Sequence, residues 1–376
     1  MYEVGIGVIG AGFIGRVHVR AARLVGARVV GVADSDPGRS LRVATELGAE
    51  EHFADARALI GHPGISVVHV CTPNDLHRPL VEEALAHGKH VICEKPLATN
   101  SADAAGLARM ASQARVVAAV PFAYRYHAMV HEARARVLSG AIGPVHLVHG
   151  SYLQDWLLTA SDGNWRVDVG KGGPSRAFAD IGSHWCDLFE WVTGQRIVEL
   201  TAAVRTVVPK RPGISQHTFG SSHEMAATEL MQVNTEDVAC LVFRASGDVV
   251  GTLTVSQVSA GRKNRLWIEI DGRDASVVFD EEQPEALWIG RRSVNEQLLR
   301  DPAELSPDAR RVSVLPAGHQ EGFLDNFAAF LSDVYGAVLN GGERRYPSFE
   351  DGLRATRITE AVLRSVRERA WVKVEP

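Results

Sequence analysis

A chain of 376 residues, 45% hydrophobic and 23% charged, is long enough for two globular domains with sizeable cores. Its net charge of -5 at pH 7 offers no basic face for nucleic acid. No apolar run approaches a membrane span, and the start lacks the basic region of a secretory signal. Four dispersed cysteines, Cys71, Cys93, Cys186 and Cys240, form no CxxC pair, which predicts small buried thiols in a cytoplasmic protein.

Along the chain, short apolar runs at 4–9, 28–33, 66–72, 89–93 and 115–122 alternate with helical patterns. Continuous apolar strands of this kind belong to parallel sheets covered on both faces. Asp36 with Pro37 reads as an N-cap followed by proline in the first turn, and Gly48 closes that helix. A second helix over 77–87 ends at Gly88. The pattern predicts a doubly wound α/β domain over residues 1–123.

After Phe122 the pattern changes. A helix at 126–139 is followed by strands at 145–154, 197–208, 237–245, 249–258, 265–271, 275–280 and 285–289, with a helix at 178–193 between the first two. Turn residues at 246–248 and 271–274 make hairpins, and helices at 320–339 and 349–369 close the chain. Residues 124–376 are therefore expected to form an α+β domain on an open, mostly antiparallel sheet. The polar stretch 209–235 reads as a long functional loop.

The motif G-x-G-x-x-G at Gly10, Gly12 and Gly15 follows the first strand and opens a helix, and Asp34 ends the second strand about twenty residues on. That context favours a dinucleotide cradle over a plain glycine-rich turn. Gly10 permits the tight turn, Gly12 lets the backbone approach a pyrophosphate, and Gly15 lets helix and strand pack closely. Phe13 and Ile14 complete the helix start that faces the phosphates. Asp34 at the adenosine ribose favours NAD over NADP, with Arg39 close enough in sequence to soften the preference. Two further strand ends, 71–77 with Thr72, Pro73, Asn74 and His77, and 93–96 with Glu94 and Lys95, fall where open α/β sheets bind ligands. A plain turn and a solvated lysine are the bland readings of these two.

GVIGAGFIG, TPNDLH and EKPLA, in this order and spacing, resemble the family of glucose–fructose oxidoreductase and inositol dehydrogenase. AFADIGSHWCDL resembles the family's D-x-x-x-H element, GAIGPV its domain start and PSFEDGLRATRITEAVLRSVRERAWVKV its closing helix. The resemblance implies an NAD-binding Rossmann domain, a substrate-binding and oligomerisation domain, and hydride transfer at a carbinol carbon of a sugar or cyclitol. It implies Lys95, Asp180 and His184 as catalytic residues, and Tyr124 and Arg125 as substrate contacts. YLQDW with the following NWR is more weakly similar to sugar dehydrogenases of the levoglucosan dehydrogenase kind. In it Gln154 and Asp155 offer hydrogen bonds, Trp156 and Trp165 offer stacking faces, and Arg166 adds a cation. A homodimer or homotetramer is expected.

Asp180 and His184 are four residues apart in the predicted helix and project from one face. Histidine suits a base that takes a hydroxyl proton as hydride leaves, and a carboxylate beside it orients the ring. A packed core histidine, and a metal site with Asp187, are the competing readings, though no further ligand cluster has matching spacing and no metal is expected. His319, in a glycine-flanked loop, is a further possible contact. The run at 223–227 lacks the second histidine of a zinc-protease motif, and 173–177 lacks the second glycine of a nucleophile elbow. The expected function is an NAD-dependent dehydrogenase of a sugar, anhydrosugar, glycoside or cyclitol. Two other readings remain: an enzyme using tightly held NAD for transient oxidation with elimination or hydrolysis, and a non-catalytic NAD-binding protein.

Overall fold

The structure, a computed structural model, describes residues 4–212 and 230–376. Most of the 209–235 stretch, with the near-motif at His223, lies outside the described residues. The chain begins β1 (Gly5–Ile9), α1 (Phe13–Leu24), β2 (Arg28–Ala33), α2 (Pro37–Leu47), β3 (Glu51–Phe53), α3 (Ala56–Gly61), β4 (Val67–Val70) and α4 (His77–Ala86). β5 (His90–Cys93), α5 (Ser101–Ala114), β6 (Ala118–Ala119), α6 (Ala128–Leu138), β7 (Val145–Leu153) and the short α7 (Val169–Gly172) follow. A π-helical turn (Phe178–Gly182) then leads into α8 (Ser183–Thr193), β8 (Ile197–Arg205), β9 (Lys210–Pro212), β10 (Leu230–Gln232), β11 (Val238–Ala245) and β12 (Val249–Ser256). The last elements are β13 (Arg265–Gly272), β14 (Ser276–Asp280), β15 (Ala286–Gly290), β16 (Asn295–Leu299), α9 (Pro307–Val312), α10 (Phe323–Asn340), α11 (Phe349–Glu368) and β17 (Val372–Lys373).

Two units are distinct. The first holds the chain up to Ala123 together with Phe323–Thr356. Its six strands lie parallel in the order β3-β2-β1-β4-β5-β6, the doubly wound arrangement with its switch point between β1 and β4. The apolar runs form its core because both sheet faces are covered, as the burial of every residue in β1 and β4 shows. Asp36 caps α2 through the N–H groups of Gly38 and Arg39, with Pro37 in the first turn and Gly48 left-handed at the end. One boundary differs from expectation: α10 and the start of α11 join this unit instead of the second. Val120 N donates to Pro347 O at 3.0 Å, and Gly352 approaches Leu97 and Val120 so closely that a Cβ there would lie 2.9 Å from each.

The second unit is built on a nine-stranded sheet in the order β16-β15-β14-β13-β7-β12-β11-β8-β17, antiparallel except for the pair β7–β12. The hairpin β11–β12 turns through Gly247 and Asp248, both at positive φ, as the turn residues predict. β11 alternates strictly, with Ala239, Leu241 and Phe243 inward. Cys240 therefore faces outward and is exposed, against the expectation of a buried thiol; Cys71, Cys93 and Cys186 are buried. The helix expected at 178–193 is divided, with a π-helical turn before α8. Among the described residues no helix is long and apolar enough to cross a membrane.

Candidate active site

Each glycine of the motif has a distinct physical reason. Gly10 stands at φ +100, and a Cβ there would lie 2.5 Å from Cys71 O. A Cβ on Gly15 would lie 1.9 Å from Gly10 O, so the helix start and the turn pack without room for a side chain. Gly12, the N-cap of α1, faces open space. Phe13, exposed, and Ile14, half-buried, follow it in a first turn that contains no acidic residue. This is a helix start with no side-chain cap and no acidic residue of its own, where the helix dipole favours an anion.

Asp34 closes the loop. Its Oδ2 accepts the Ala11 N–H at 2.8 Å, and Oδ1 accepts Asp36 N–H at 3.0 Å and the Arg39 guanidinium. Burial pushes its pKa up, but the hydrogen bonds from Arg39, Asp36 and Ala11 outweigh it and hold the carboxyl below its ordinary value. The group is thus an anion fixed at the end of β2. At the end of β4 Thr72 Oγ1 is buried with no hydrogen-bond partner among the described residues, beside Pro73 and the buried Asn74. The open space at Gly12, the anionic Asp34 and the waiting Thr72 hydroxyl fit a dinucleotide.

Two residues expected at the cofactor, His77 and Glu94, have hydrogen-bond partners within the protein. His77 has no exposed surface; its ring nitrogens lie 2.8 Å from Pro96 O and 3.0 Å from Thr72 O, so it staples the two strand-end turns together. Burial lowers its pKa against the opposing pull of those carbonyls. Glu94 is buried, with Oε1 3.1 Å from His18 Nε2 and Oε2 accepting the Lys95 N–H at 3.1 Å. Lys95 follows, half-buried, with a cis peptide to Pro96.

In the second unit, His184 sits in the first turn of α8, its ring edge-on to Tyr124 at 5.0 Å and tilted to Tyr152 at 6.4 Å. Tyr124 and Tyr152 hydroxyls are 2.5 Å apart, Tyr152 donates to Asn264 Oδ1 at 2.8 Å, and Asn264 Nδ2 donates to Tyr124 at 2.9 Å. Burial raises the pKa of both phenols, so the ring of three is neutral. Asn264 Oδ1 also accepts Gln154 Nε2 at 2.7 Å, and Gln154 Oε1 accepts Trp156 Nε1 at 2.7 Å.

Asp180 lies in the π-helical turn, where the wider turn removes the simple i, i+4 argument for its direction. Its Oδ2 accepts Gln257 Nε2 at 2.9 Å, and Arg166 Nε lies 3.4 Å from Oδ1. Gln257 is itself oriented: its Oε1 accepts Arg176 at 3.0 Å, and Arg176 pairs with Asp237 with neither side chain exposed. A buried ion pair thereby fixes the amide that serves Asp180.

Arg125, Trp156, Trp165, Arg166 and His319, all expected as contacts, have interactions within the protein. The Arg125 guanidinium grips both oxygens of Asp187, which occupies the substrate contact and also neutralises the proposed third metal ligand. Arg166 covers one face of Trp165 at 4.4 Å. Trp156 packs on Leu157, Val167 and Val233. His319 is exposed, and its carbonyl accepts from Arg300. Among the described residues the one metal-like group is His149, Glu269 and Asp271, away from these residues on β7 and β13.

Gln257 and Asn264 were not foreseen. Register explains them: Ser256 and Arg265 both pair with Leu153, so Gln154, Gln257 and Asn264 meet at one end of three neighbouring strands. Polar residues directly after β12 and before β13, read together with YLQDW, are the signal that finds them.

The family model described as "Oxidoreductase family, NAD-binding Rossmann fold" matches residues 4–122, and that of the "GFO/IDH/MocA C-terminal domain" matches 130–278. The chain is 29% identical to levoglucosan dehydrogenase of Pseudarthrobacter phenanthrenivorans, covering 100% of this chain and 99% of that protein. It is 30% identical to inositol 2-dehydrogenase of Acidothermus cellulolyticus, covering 100% and 96%. Among solved structures, levoglucosan dehydrogenase in complex with NADH and levoglucosan superposes with a TM-score of 0.90 at 27% identity over 100% of both chains. An inositol dehydrogenase homolog complexed with NAD+ from Azotobacter vinelandii gives 0.87 at 26% identity, covering 99% and 97%. With the glycine cradle, the six-stranded parallel sheet and these similarities together, the chain belongs to this family of NAD-binding oxidoreductases.

Proposed function

We propose that the protein oxidises a secondary or hemiacetal hydroxyl of a sugar, anhydrosugar or cyclitol, of the class that levoglucosan and inositol represent in its relatives' names. The observation that carries the cofactor half is the open space at Gly12 between the strained Gly10 and the closely packed Gly15. Gly10, Gly12, Phe13, Ile14 and Gly15 hold the pyrophosphate, Asp34 the adenosine ribose, and Thr72 to Asn74 with Lys95 the nicotinamide end. NAD, when bound, supplies the hydride acceptor.

His184 takes the hydroxyl proton. Asp180, kept in place by Gln257 and Arg166, offsets the charge His184 gains, and Lys95 assists at the substrate hydroxyl. Tyr124, Gln154 and Asn264 supply hydroxyl and amide groups for neighbouring substrate oxygens. The reading also takes the open face of the nine-stranded sheet, with Val198, Val242 and Val250 exposed, as buried against a second copy. Light scattering at micromolar concentration is expected to give at least a dimer; a single 40.7 kDa species rules that out.

The test of the activity is NADH formation across a panel of levoglucosan, free sugars, glycosides and inositols. Turnover is expected with one class. Protein that binds NAD and oxidises no member of the panel defeats the proposal.

A further inference from the structure

The first unit buries a row of polar side chains that neither the cradle nor the proton chemistry above uses. The Tyr335 hydroxyl, on α10, lies 3.0 Å from His69 Nε2 on β4. His69 Nδ1 lies 2.8 Å from His18 Nδ1 on α1, and His18 Nε2 lies 3.1 Å from Glu94 Oε1. The other Glu94 oxygen accepts the Lys95 N–H. Tyr335, His69 and His18 have no exposed surface.

Donor counting fixes the protons. A carboxylate only accepts, so His18 Nε2 carries hydrogen. We take both imidazoles as neutral, each with one N–H, so that His18 Nδ1 accepts and the facing His69 Nδ1 donates. His69 Nε2 then accepts, and Tyr335 donates to it. Three donors point the same way and converge on Glu94, and bonds aligned in series polarise one another. Packing alone has no need of them: apolar side chains of equal volume fill such space without desolvating polar groups.

We propose that Tyr335, His69 and His18 are positioning residues for Lys95, holding Glu94 ionised at the end of β5 and, through Glu94, the backbone at Lys95. This rests on the reading of Lys95 as a catalytic residue. Burial, with the Glu94 charge adding to it, pushes the Cys71 and Cys93 thiols well up, so both are neutral. Burial lowers the pKa of His77 and, strongly, of His69. For Glu94, burial raises the pKa, but the His18 hydrogen bond and then Lys95 outweigh it, and the group stays below its ordinary value. Tyr335, pushed up by burial and by Cys71, remains a donor.

The chain's direction is read from 15N-histidine NMR of the whole protein at pH 8. His69 is expected as the Nδ1–H tautomer and His18 as Nε2–H; an Nε2–H His69 or a doubly protonated His18 reverses the chain and overturns the proposal. Tyr335→Phe removes one fully buried hydroxyl to which the proposed function gives no part in cofactor or substrate binding. With levoglucosan, or the panel member of highest kcat/KM, kcat is expected to fall about 3–10-fold, the size of one lost hydrogen bond. The Kd for NAD should stay within about twofold. Because fewer donors raise the Glu94 pKa, the acid limb of the kcat profile should move to higher pH. Lys95→Ala separates the two ideas. Retained turnover there removes the reading of Lys95, whereas lost turnover there with an unmoved pH profile in Tyr335→Phe overturns the positioning role alone.

Discussion

In the cradle of the first unit, Gly10, Gly12 and Gly15 act by lacking a side chain, and the groups offered to a ligand are main-chain N–H. Around His184 in the second unit the offered groups are side chains, brought by the residues that follow or precede β7, β12 and β13. A site made of backbone tolerates little variation in spacing, since Gly10 must clear Cys71 O and Gly15 must clear Gly10 O while Gly12 stays open between them. A site made of side chains depends on which strands pair, and its members are scattered over more than a hundred positions between Tyr124 and Asn264.

Substitutions sharpen that contrast. The largest expected effect is at His184: His184→Ala should lower kcat by about 10²–10⁴-fold, the usual worth of a positioned base, with NAD binding retained. Asp180→Asn should cost less, and the double variant less than the product, because the two act as one unit. A folded His184→Ala that turns over normally reduces His184 to a packed helix residue. Next is Asp237→Asn, which removes the carboxylate charge that the buried Arg176 and Arg211 share and should cost about 3–5 kcal/mol in urea unfolding. Burial raises the pKa of Asp237, but Arg176, the Val208 N–H and Arg211 outweigh it, and the net value is depressed. Its stabilisation is therefore present above the unfolded value and lost as pH falls through the folded one, a loss that the variant should lack.

Asp34→Ala comes third. It removes the ribose acceptor and releases Arg39, so the ratio of kcat/KM for NAD over NADP should narrow by about 1–3 kcal/mol. An enzyme that prefers NADP from the start contradicts the role given to Asp34. The smallest effect on folding belongs to Gly12→Ala, whose Cβ meets nothing within 4 Å. Its stability should stay within about 0.5 kcal/mol while NAD binding by calorimetry weakens. Gly15→Ala, with a Cβ 1.9 Å from Gly10 O, should instead lose stability. Equal behaviour of the two alanines would dissolve the distinction between a ligand-facing and a packing glycine.

The contrast also explains what the sequence makes legible. Gly10 to Asp34 is readable because strand, turn, helix and acid follow one another locally, and the six parallel strands follow from apolar runs buried on both faces. The outward Cys240 was readable too, by following the alternation along β11. The departures arise where tertiary pairing decides. Arg125 is taken by Asp187 from another helix, and His77 is drawn between two carbonyls, one of them nineteen residues away. A π-helical turn replaces regular helix at Asp180, and α10 joins the first unit although strands of the second precede it. No local spacing announces any of these.

The placement of β7 has a consequence for how the chain is made. Its neighbours are β12, to which Leu147 pairs through Val250, and β13, through Asp271. Both partners are synthesised about a hundred residues after β7, an interval of about 5–20 s at ordinary rates of translation. Through that time a strand destined for the middle of a nine-stranded sheet lacks both of its sheet neighbours. Closing it is then a long-range event of high contact order, slower than completing the local strand–helix repeats of the first unit. The nascent chain thus carries the glycines and Asp34 of the cradle well before the residues around His184, while α10, which completes the first unit, is made after both, and the waiting strand is exposed to mispairing with another copy.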